Sequence, residues 1–452
     1  MKKKRYRRVL AGIAAAALLA AGCGQAGSGT ASASSTSSGS LMVSSSGEVG
    51  NAEPSSVEAV TGDASAGKAV NGDSSSAGTV NGDSSDGTDA DALLEEGIIS
   101  SQPADAPDID GLTYVGTMNL RYAKCFQVYY YEGGWRLLSI PDGDSFLVAP
   151  DGQEAPKGLS DAYTVIHRPS AIYLAATSAY ALFDALGAEN AVTLSGTDKS
   201  GWTIDAPKEA LENGTMTFAG KYNEPDYELL VDKGCDLAIE STMILHSPEV
   251  KEMIEDLDIP VLTDRSSYET EALGRTEWIK LYGALMGKEE EAFSFFNEQA
   301  KVLDDLSGEK STGKTAVFFA VDTDGSIVVR AGNDYISNMI DEGGAKYIYD
   351  DLKNTGTAAT VTLSMEQFYK DASDADYLIY NATIEQSLGS IDDLVAKNDL
   401  FADFRAVKDG NVFQVDRKMY QSTDKVAQFI RDVNLMVTGG DEKKMTFLSR
   451  LS

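Results

Sequence analysis

Histidine is nearly missing: His167 and His246 are the only two in 452 residues. Zinc and manganese sites lean on imidazole, so a histidine-rich metal centre has almost no donors to draw on. The three cysteines, Cys23, Cys125 and Cys235, lie far apart and show no metal-type spacing. Cys235 sits in Cys235-Asp236-Leu237-Ala238-Ile239, which reads as a buried strand, so its expected role is packing. Pairing with Cys125 stays open, although a domain of this size does not need a disulfide. Positive charge is also short: 38 Lys and Arg against 70 Asp and Glu leave a net charge of −32. A nucleic-acid partner would call for a basic surface, which this balance argues against. There is no Gly-x-Ser-x-Gly, and neither histidine has a recognisable catalytic setting, so the reading is binding and not catalysis. After the first 23 residues no apolar run is long enough to span a bilayer.

What is present begins with a basic run (Lys2, Lys3, Lys4, Arg5, Arg7, Arg8), an apolar stretch over 9–21, then Gly22 and Cys23. This reads as a secretory signal over residues 1–22. Its end resembles the lipobox of bacterial lipoproteins, with Ala20 where leucine is usual and Leu19 one place earlier. The resemblance implies that Cys23 carries the lipid. The protein is then held at the extracytoplasmic face of the cell membrane by acyl chains alone. Residues 23–109 read as a disordered Ser/Gly/Asp-rich tether. They carry a ten-residue repeat, Val60-Thr61-Gly62-Asp63, Val70-Asn71-Gly72-Asp73 and Val80-Asn81-Gly82-Asp83. One valine per ten residues cannot bury a core.

The remainder is long enough for two lobes. Its opening reads as β-rich: runs over 126–131 and 135–140 are joined by Glu132-Gly133-Gly134, a hairpin signal, and a third follows over 145–149. From Tyr163 short apolar runs alternate with helical periodicity. Strands are expected over 164–167, 191–194, 215–219, 236–239 and 260–262, with a helix over 171–186 ended by Gly187. A long helical stretch over 276–306 breaks at Gly287. Alternation then resumes, with strands over 315–321, 327–330, 376–380 and 412–415 and a closing helix over 424–437. The fold class is α/β: two lobes, each a mainly parallel sheet flanked by helices, joined by a long rigid helix. The boundaries are an N-terminal lobe with leading β hairpins over 110–275, an inter-lobe helical segment over 276–307, a C-terminal lobe over 308–440 and a tail over 441–452.

Several local patterns together resemble the substrate-binding proteins of ABC importers for ferric siderophores, haem and cobalamin. Pro225-Asp226-Tyr227-Glu228-Leu229-Leu230 followed by Gly234-Cys235-Asp236-Leu237 resembles the first-lobe signature. Ser364-Met365-Glu366-Gln367 followed by Ala375-Asp376-Tyr377 resembles its second-lobe counterpart. Asn338-Met339-Ile340 with Gly343-Gly344-Ala345, and the turn Lys408-Asp409-Gly410-Asn411, match further elements. The resemblance covers about residues 160–440 and leaves the β-rich opening without a role. It implies that Glu228 and Glu366 dock on arginines of a membrane permease. It also implies a small-molecule ligand between the lobes: a pre-chelated metal, first a ferric siderophore-type complex, alternatively cobalamin or haem. No cofactor and no protein-supplied metal ligand are then needed. The expected state is a monomer that meets the membrane only through its anchor. A surface adhesin is the remote alternative, since it could use the same tether.

Ligands of parallel α/β sheets bind outside the carboxyl ends of the strands. The loops leaving the expected strands supply the candidates: Trp202, Arg265, Tyr268 and Arg275 in the first lobe, and Arg330, Tyr335, Tyr380, Arg417 and Tyr420 in the second. Guanidinium forks match carboxylate, hydroxamate or catecholate oxygens, and tyrosine gives a flat wall with a polar tip. Such a cleft suits an anionic, bulky ligand. Two or more of these arginines, counted with Arg168, are expected to pair with acidic neighbours instead.

Overall fold

The computed structural model describes residues 90–102, 106–141, 143–306, 311–353, 359–383 and 387–452. The signal, Cys23 and the ten-residue repeats lie outside them. Folded chain begins earlier than the tether over 23–109 allows. Helix Ala90–Glu95 buries Leu93, and strand Ile99–Ser100 buries Ile99. The apolar cluster Leu93, Leu94, Ile98 and Ile99 gives this segment enough surface to bury.

Ile99–Ser100 opens a six-stranded sheet that continues in chain order through Tyr114–Met118, Gln127–Tyr131, Trp135–Ser139, Ser145–Val148 and Thr164–Ile166. Every pair is antiparallel except the last. The expected hairpin is present, turning on Gly133 with φ +76°. Its side chains alternate in the manner of a sheet between two layers. Val128, Tyr130, Leu138, Phe146 and Val148 join the core of the first lobe, whereas Tyr131, Leu137 and Leu147 close a smaller core with Ile109 and Trp135. The strand expected over 164–167 therefore belongs to this sheet and not to the α/β lobe.

The first lobe proper is a fully parallel five-stranded sheet in the order Val261–Asp264, Leu237–Ser241, Ile172–Leu174, Val192–Ser195, Thr217–Phe218. The helix expected from residue 171 starts later, at Thr177–Ala185. Ile172, Tyr173 and Leu174 form the central strand, buried on both faces, so no alternation marked them as β.

The helical stretch expected over 276–306 is three helices, Ala272–Glu277, Ile279–Met286 and Glu289–Leu306. Gly287 caps the second in the left-handed region, φ +69°. The last of the three crosses between lobes. Phe296 and Ala300 lie in the first-lobe core, while Leu303 and Leu306 also touch the second.

The second lobe's sheet runs Thr360–Leu363, Ile327–Arg330, Thr315–Val321, Tyr377–Asn381, Val412–Val415, Leu448–Arg450, with Lys346–Tyr347 beside the start of Thr315–Val321. Its central pairs are parallel and its outer pairs antiparallel. The segment over 441–452, expected as a tail, supplies the last of these strands and buries Phe447, Leu448 and Leu451. The glycine pair has a packing cause: a Cβ on Gly343 would lie 2.6 Å from Val433 of the closing helix Val426–Thr438.

The N-terminal sheet is pinned to the hinge by buried charge. Five successive backbone N–H groups, from Arg121 to Cys125, donate to two carboxylates. Glu277 accepts from Arg121, Tyr122 and Ala123 at 2.7–3.1 Å, and Glu269 accepts from Lys124 and Cys125 at 2.9–3.1 Å. Lys280 completes the set, donating to Glu277 at 2.6 Å and to the Asn119 carbonyl at 2.8 Å. Further along, Arg136 of the sheet meets Glu289 of the crossing helix at 2.6 Å, both buried. Every buried charge here is matched, as its desolvation demands.

Candidate functional site

The parallel strands of the first lobe deliver their carboxyl ends, and the loops that follow, to one edge of the lobe. Three of its large apolar side chains stay in solvent there: Phe218 at 38%, Leu245 at 45% and Tyr268 at 40% exposure. Each follows or ends a strand of the sheet, so together they give the first lobe an apolar rim. Tyr268 was expected from sequence. Phe218 and Leu245 were not, because a lone apolar residue at a strand end looks like core. Arg265, half-buried, leaves the edge strand Val261–Asp264 and lies against the turn at Gly143 of the N-terminal sheet.

Across the junction, four of the nine candidate ligand residues come together. Arg275, on Ala272–Glu277, stacks its guanidinium over the Tyr335 ring at 4.2 Å from the centroid. Arg330 lies over the Tyr420 ring at 5.5 Å, donates to its hydroxyl, and faces Asp334 at 3.6 Å. Burial raises the Tyr335 phenol above its usual range, against the pull of the Arg275 charge. Burial opposes the Arg330 charge, and Tyr420 and Asp334 more than offset it, so its pKa stays high. Among these side chains two guanidinium groups face one carboxylate, Asp334, so the set itself carries a net positive charge. Arg417 is exposed at the start of the short helix Arg417–Gln421, which also carries Tyr420.

Two candidates are corrected. Trp202 does not line the junction: it is 2% exposed, packs edge-to-face on Tyr180, and donates Nε1 to the Ser195 Oγ and the Thr197 carbonyl at 3.3 and 3.2 Å. A polar, glycine-bearing loop suggested exposure, but the indole folds back and anchors that loop in its own lobe. Tyr380 is likewise core, packed edge-to-face on Phe319. Of the arginines, Arg168 pairs with Asp151 at 2.6 Å and Arg330 with Asp334, as expected for at least two.

Glu228 and Glu366 occupy equivalent places. Each is exposed and second in its helix, Tyr227–Asp232 and Met365–Ala372, after a side-chain cap from Asp226 or Ser364. The sheet strands before and after each helix run in the same direction, Thr217–Phe218 with Leu237–Ser241 and Thr360–Leu363 with Tyr377–Asn381, so both glutamates start at the carboxyl-end side of their sheets. Hydrogen bonds from its own backbone N–H and from Ser364 hold the Glu366 carboxyl below the usual range. The aspartates that introduce the next strands also match. Asp236 accepts the N–H groups of Ser170 and Ala171, and Asp376 that of Thr315, so each ties down the start of its lobe's first parallel strand.

The lobes touch through residues that sequence reasoning missed. Gln421, 5% exposed in the second lobe, accepts at Oε1 from Thr203 N and Oγ1, both at 2.7 Å, and donates Nε2 to the Gly201 carbonyl at 2.9 Å. Thr276 Oγ1 donates to the Thr423 carbonyl at 2.8 Å, and Asn338 to that of Thr270 at 3.0 Å. Lys418 faces Asp205 at 3.6 Å. A glutamine in a polar run carries no sequence signal for such a role. Among the described residues no three His, Cys, Asp or Glu side chains converge as a metal site, and no helix is long and apolar enough to cross a membrane.

Comparison with known proteins gives the following. Residues 174–419 match the family described as periplasmic binding protein. Two uncharacterized lipoproteins of Methanocaldococcus jannaschii are similar over most of their length. MJ0878 is 24% identical, covering 66% of this chain and 76% of its own. MJ0872 is 25% identical, covering 73% and 86%. A periplasmic binding protein of known structure from Veillonella parvula shares the fold at 15% identity, with a TM-score of 0.50 over 63% of this chain and 97% of that one.

Proposed function

The chain belongs to the periplasmic binding protein family, and from that premise we propose that it is the lipid-anchored receptor of an ABC importer for a pre-chelated metal. The cargo class is a ferric siderophore-type complex. The observation that carries this reading is the cationic, tyrosine-bearing set of Arg275, Tyr335, Arg330 and Tyr420. Guanidinium groups beside phenol rings recognise anionic, oxygen-rich, partly aromatic ligands. The apolar rim of Phe218, Leu245 and Tyr268 suits the organic body of such a complex. The chelate brings its own metal donors, so the receptor supplies only an outer shell of hydrogen bonds and charge. Cobalamin loses its main support with Trp202 inside the lobe.

Delivery uses the lobe faces. Glu228 and Glu366, alike in position and exposure, orient the receptor on a cationic permease surface. Exposed rim charges of this kind raise encounter rates and fix register more than they add affinity.

A thermal-shift panel tests the cargo: ferric hydroxamate, ferric catecholate, ferric citrate, haem and cobalamin, each added to the whole chain. A ligand present at a hundred times its dissociation constant adds about 2.7 kcal/mol. The expected result is a shift with a ferric chelate that Arg275→Ala weakens at least about tenfold in affinity. A shift with cobalamin alone contradicts the cargo class. Reversing both docking charges, Glu228→Lys with Glu366→Lys, is expected to abolish uptake and leave chelate affinity unchanged. Unchanged uptake contradicts the docking role.

A further inference from the structure

The short helix Arg417–Gln421 turns two neighbouring side chains toward different partners. Tyr420 receives the Arg330 guanidinium within the second lobe, and Gln421 reaches the first lobe. The loop that Gln421 holds is stiff. It leaves strand Val192–Ser195, and its base is tied by Ser195 Oγ, which accepts from the Thr197 N–H and donates to the Thr197 carbonyl. Its middle is turned by Asp198, whose carboxylate accepts from Ser200 N, Ser200 Oγ and Gly201 N at 2.6–3.2 Å. Its far end is plugged into the lobe by Trp202. A loop fixed at three points presents Gly201 and Thr203 as a ready-made donor–acceptor pair, and one primary amide satisfies both.

We propose that Gln421 is the inter-lobe latch of this receptor, a positioning residue that holds the lobes together and couples their contact to the Arg330–Tyr420 pair. The proposal rests on reading that pair as part of the ligand site. Three hydrogen bonds from one buried side chain are directional enough to favour one lobe arrangement. They are also neutral, so water can replace them when the lobes part. The other polar contacts between lobes are single bonds or, at Lys418–Asp205, a solvent-exposed pair at 3.6 Å, which adds little. Because Tyr420 and Gln421 are adjacent in one turn, any ligand that displaces the Tyr420 hydroxyl from Arg330 moves the backbone that carries the latch.

The test needs no ligand. In the whole chain, Gln421→Ala is expected to speed amide exchange at Thr203, whose N–H the glutamine accepts, about tenfold and to enlarge the radius of gyration in small-angle scattering. Gln421→Glu keeps the acceptor for Thr203 but loses the donor to Gly201, and is expected to fall between. Tyr420→Phe, which leaves Gln421 intact, is expected to speed exchange at Thr203 about threefold through the shared turn. Exchange within twofold of wild type in Gln421→Ala overturns the latch. So does faster exchange at Thr203 alone with an unchanged radius, since that is a local bond and not a lobe contact. An unmoved loop in Tyr420→Phe overturns the coupling. A failure of the ferric-chelate panel with these effects intact would instead overturn the cargo reading and leave the latch standing.

Discussion

The two junctions of this molecule are built from different chemistry. Where the N-terminal sheet meets the hinge, two buried carboxylates gather five consecutive backbone N–H groups, and buried ion pairs flank them. Where the two lobes meet, the polar contacts named above are an amide, two single hydrogen bonds, one exposed charge pair and the Arg275–Tyr335 stack, beside apolar packing through Ala272 and Leu303. Opening the first would strand buried charge, at about 3–5 kcal/mol for each partner lost. The hydrogen bonds of the second are neutral and can be exchanged for water, at about 0.5–1.5 kcal/mol each. The N-terminal sheet is therefore fastened to the inter-lobe helices by buried charge, whereas the polar contacts of the second lobe are fewer and mostly neutral. This gives the β-rich opening a role that the family match over 174–419 leaves blank: it braces the hinge.

The largest expected effect breaks that brace. Glu277→Ala removes the acceptor of three N–H groups and the partner of Lys280, whose ammonium burial already holds below its usual range. A loss of about 3–5 kcal/mol in denaturant unfolding is expected. A loss under about 1 kcal/mol would make this junction no stronger than the other.

Next in size is a buried acid that no junction uses. Glu240 lies in the first lobe close to Tyr173 and Tyr227. Neither of its carboxylate oxygens has a hydrogen-bond partner among the described residues. Burial pushes its pKa up to about 8 from an ordinary 4.5. The native state thus keeps a proton that the unfolded chain releases, so stability falls as pH rises from about 4.5 to about 8. Glu342, pushed up to about 7 by burial and by Glu271, acts in the same direction. Glu240→Gln is expected to remove the part of this slope above about pH 7 and to stabilise the protein at pH 8 by on the order of 3 kcal/mol. A thermal midpoint that rises with pH across this window contradicts it.

The smallest effect sharpens the comparison from the other side. Arg121 and Asp304 also bridge sheet and hinge helix, at 3.0 Å, but both are about half exposed. Arg121→Ala is expected to cost less than about 1 kcal/mol, and less still in high salt, because the brace works through burial and not through charge count.

Much of the scaffold was legible in the sequence. The hairpin at Gly133, the break at Gly287, the paired helices bearing Glu228 and Glu366 and the aspartates after them all carry local signals, being caps, turns and short periodic runs. What failed was whatever depended on the third dimension. The central strand Ile172–Leu174 has apolar neighbours on both faces, so periodicity could not separate it from a helix. Trp202 looked exposed by the company of Gly196, Asp198 and Gly201, yet Ser195 and Thr197 of the same loop supply the acceptors that let the indole turn inward. Glu269, Glu277 and Gln421 gave no signal, because their partners lie 144–220 positions away in the chain. The cleft was half-legible for the same reason. Arginines and tyrosines could be counted, but which of them share a space with Tyr335 and Tyr420 is a property of the folded lobes.

Native-state hydrogen exchange on the whole chain, with and without whichever ferric chelate gives a shift in the thermal panel, tests the central contrast most directly. The amides of residues 121–125 are expected to exchange only by global unfolding, slowest of all in the free protein and slowed further only by the stabilisation that the ligand adds to the whole fold. That of Thr203, which crosses to Gln421, is expected to exchange much faster in the free protein and to slow on adding the chelate by more than the whole fold does. Equal rates at the two junctions, or a Thr203 amide slowed no more than the whole fold, would contradict a braced hinge beside a looser lobe contact.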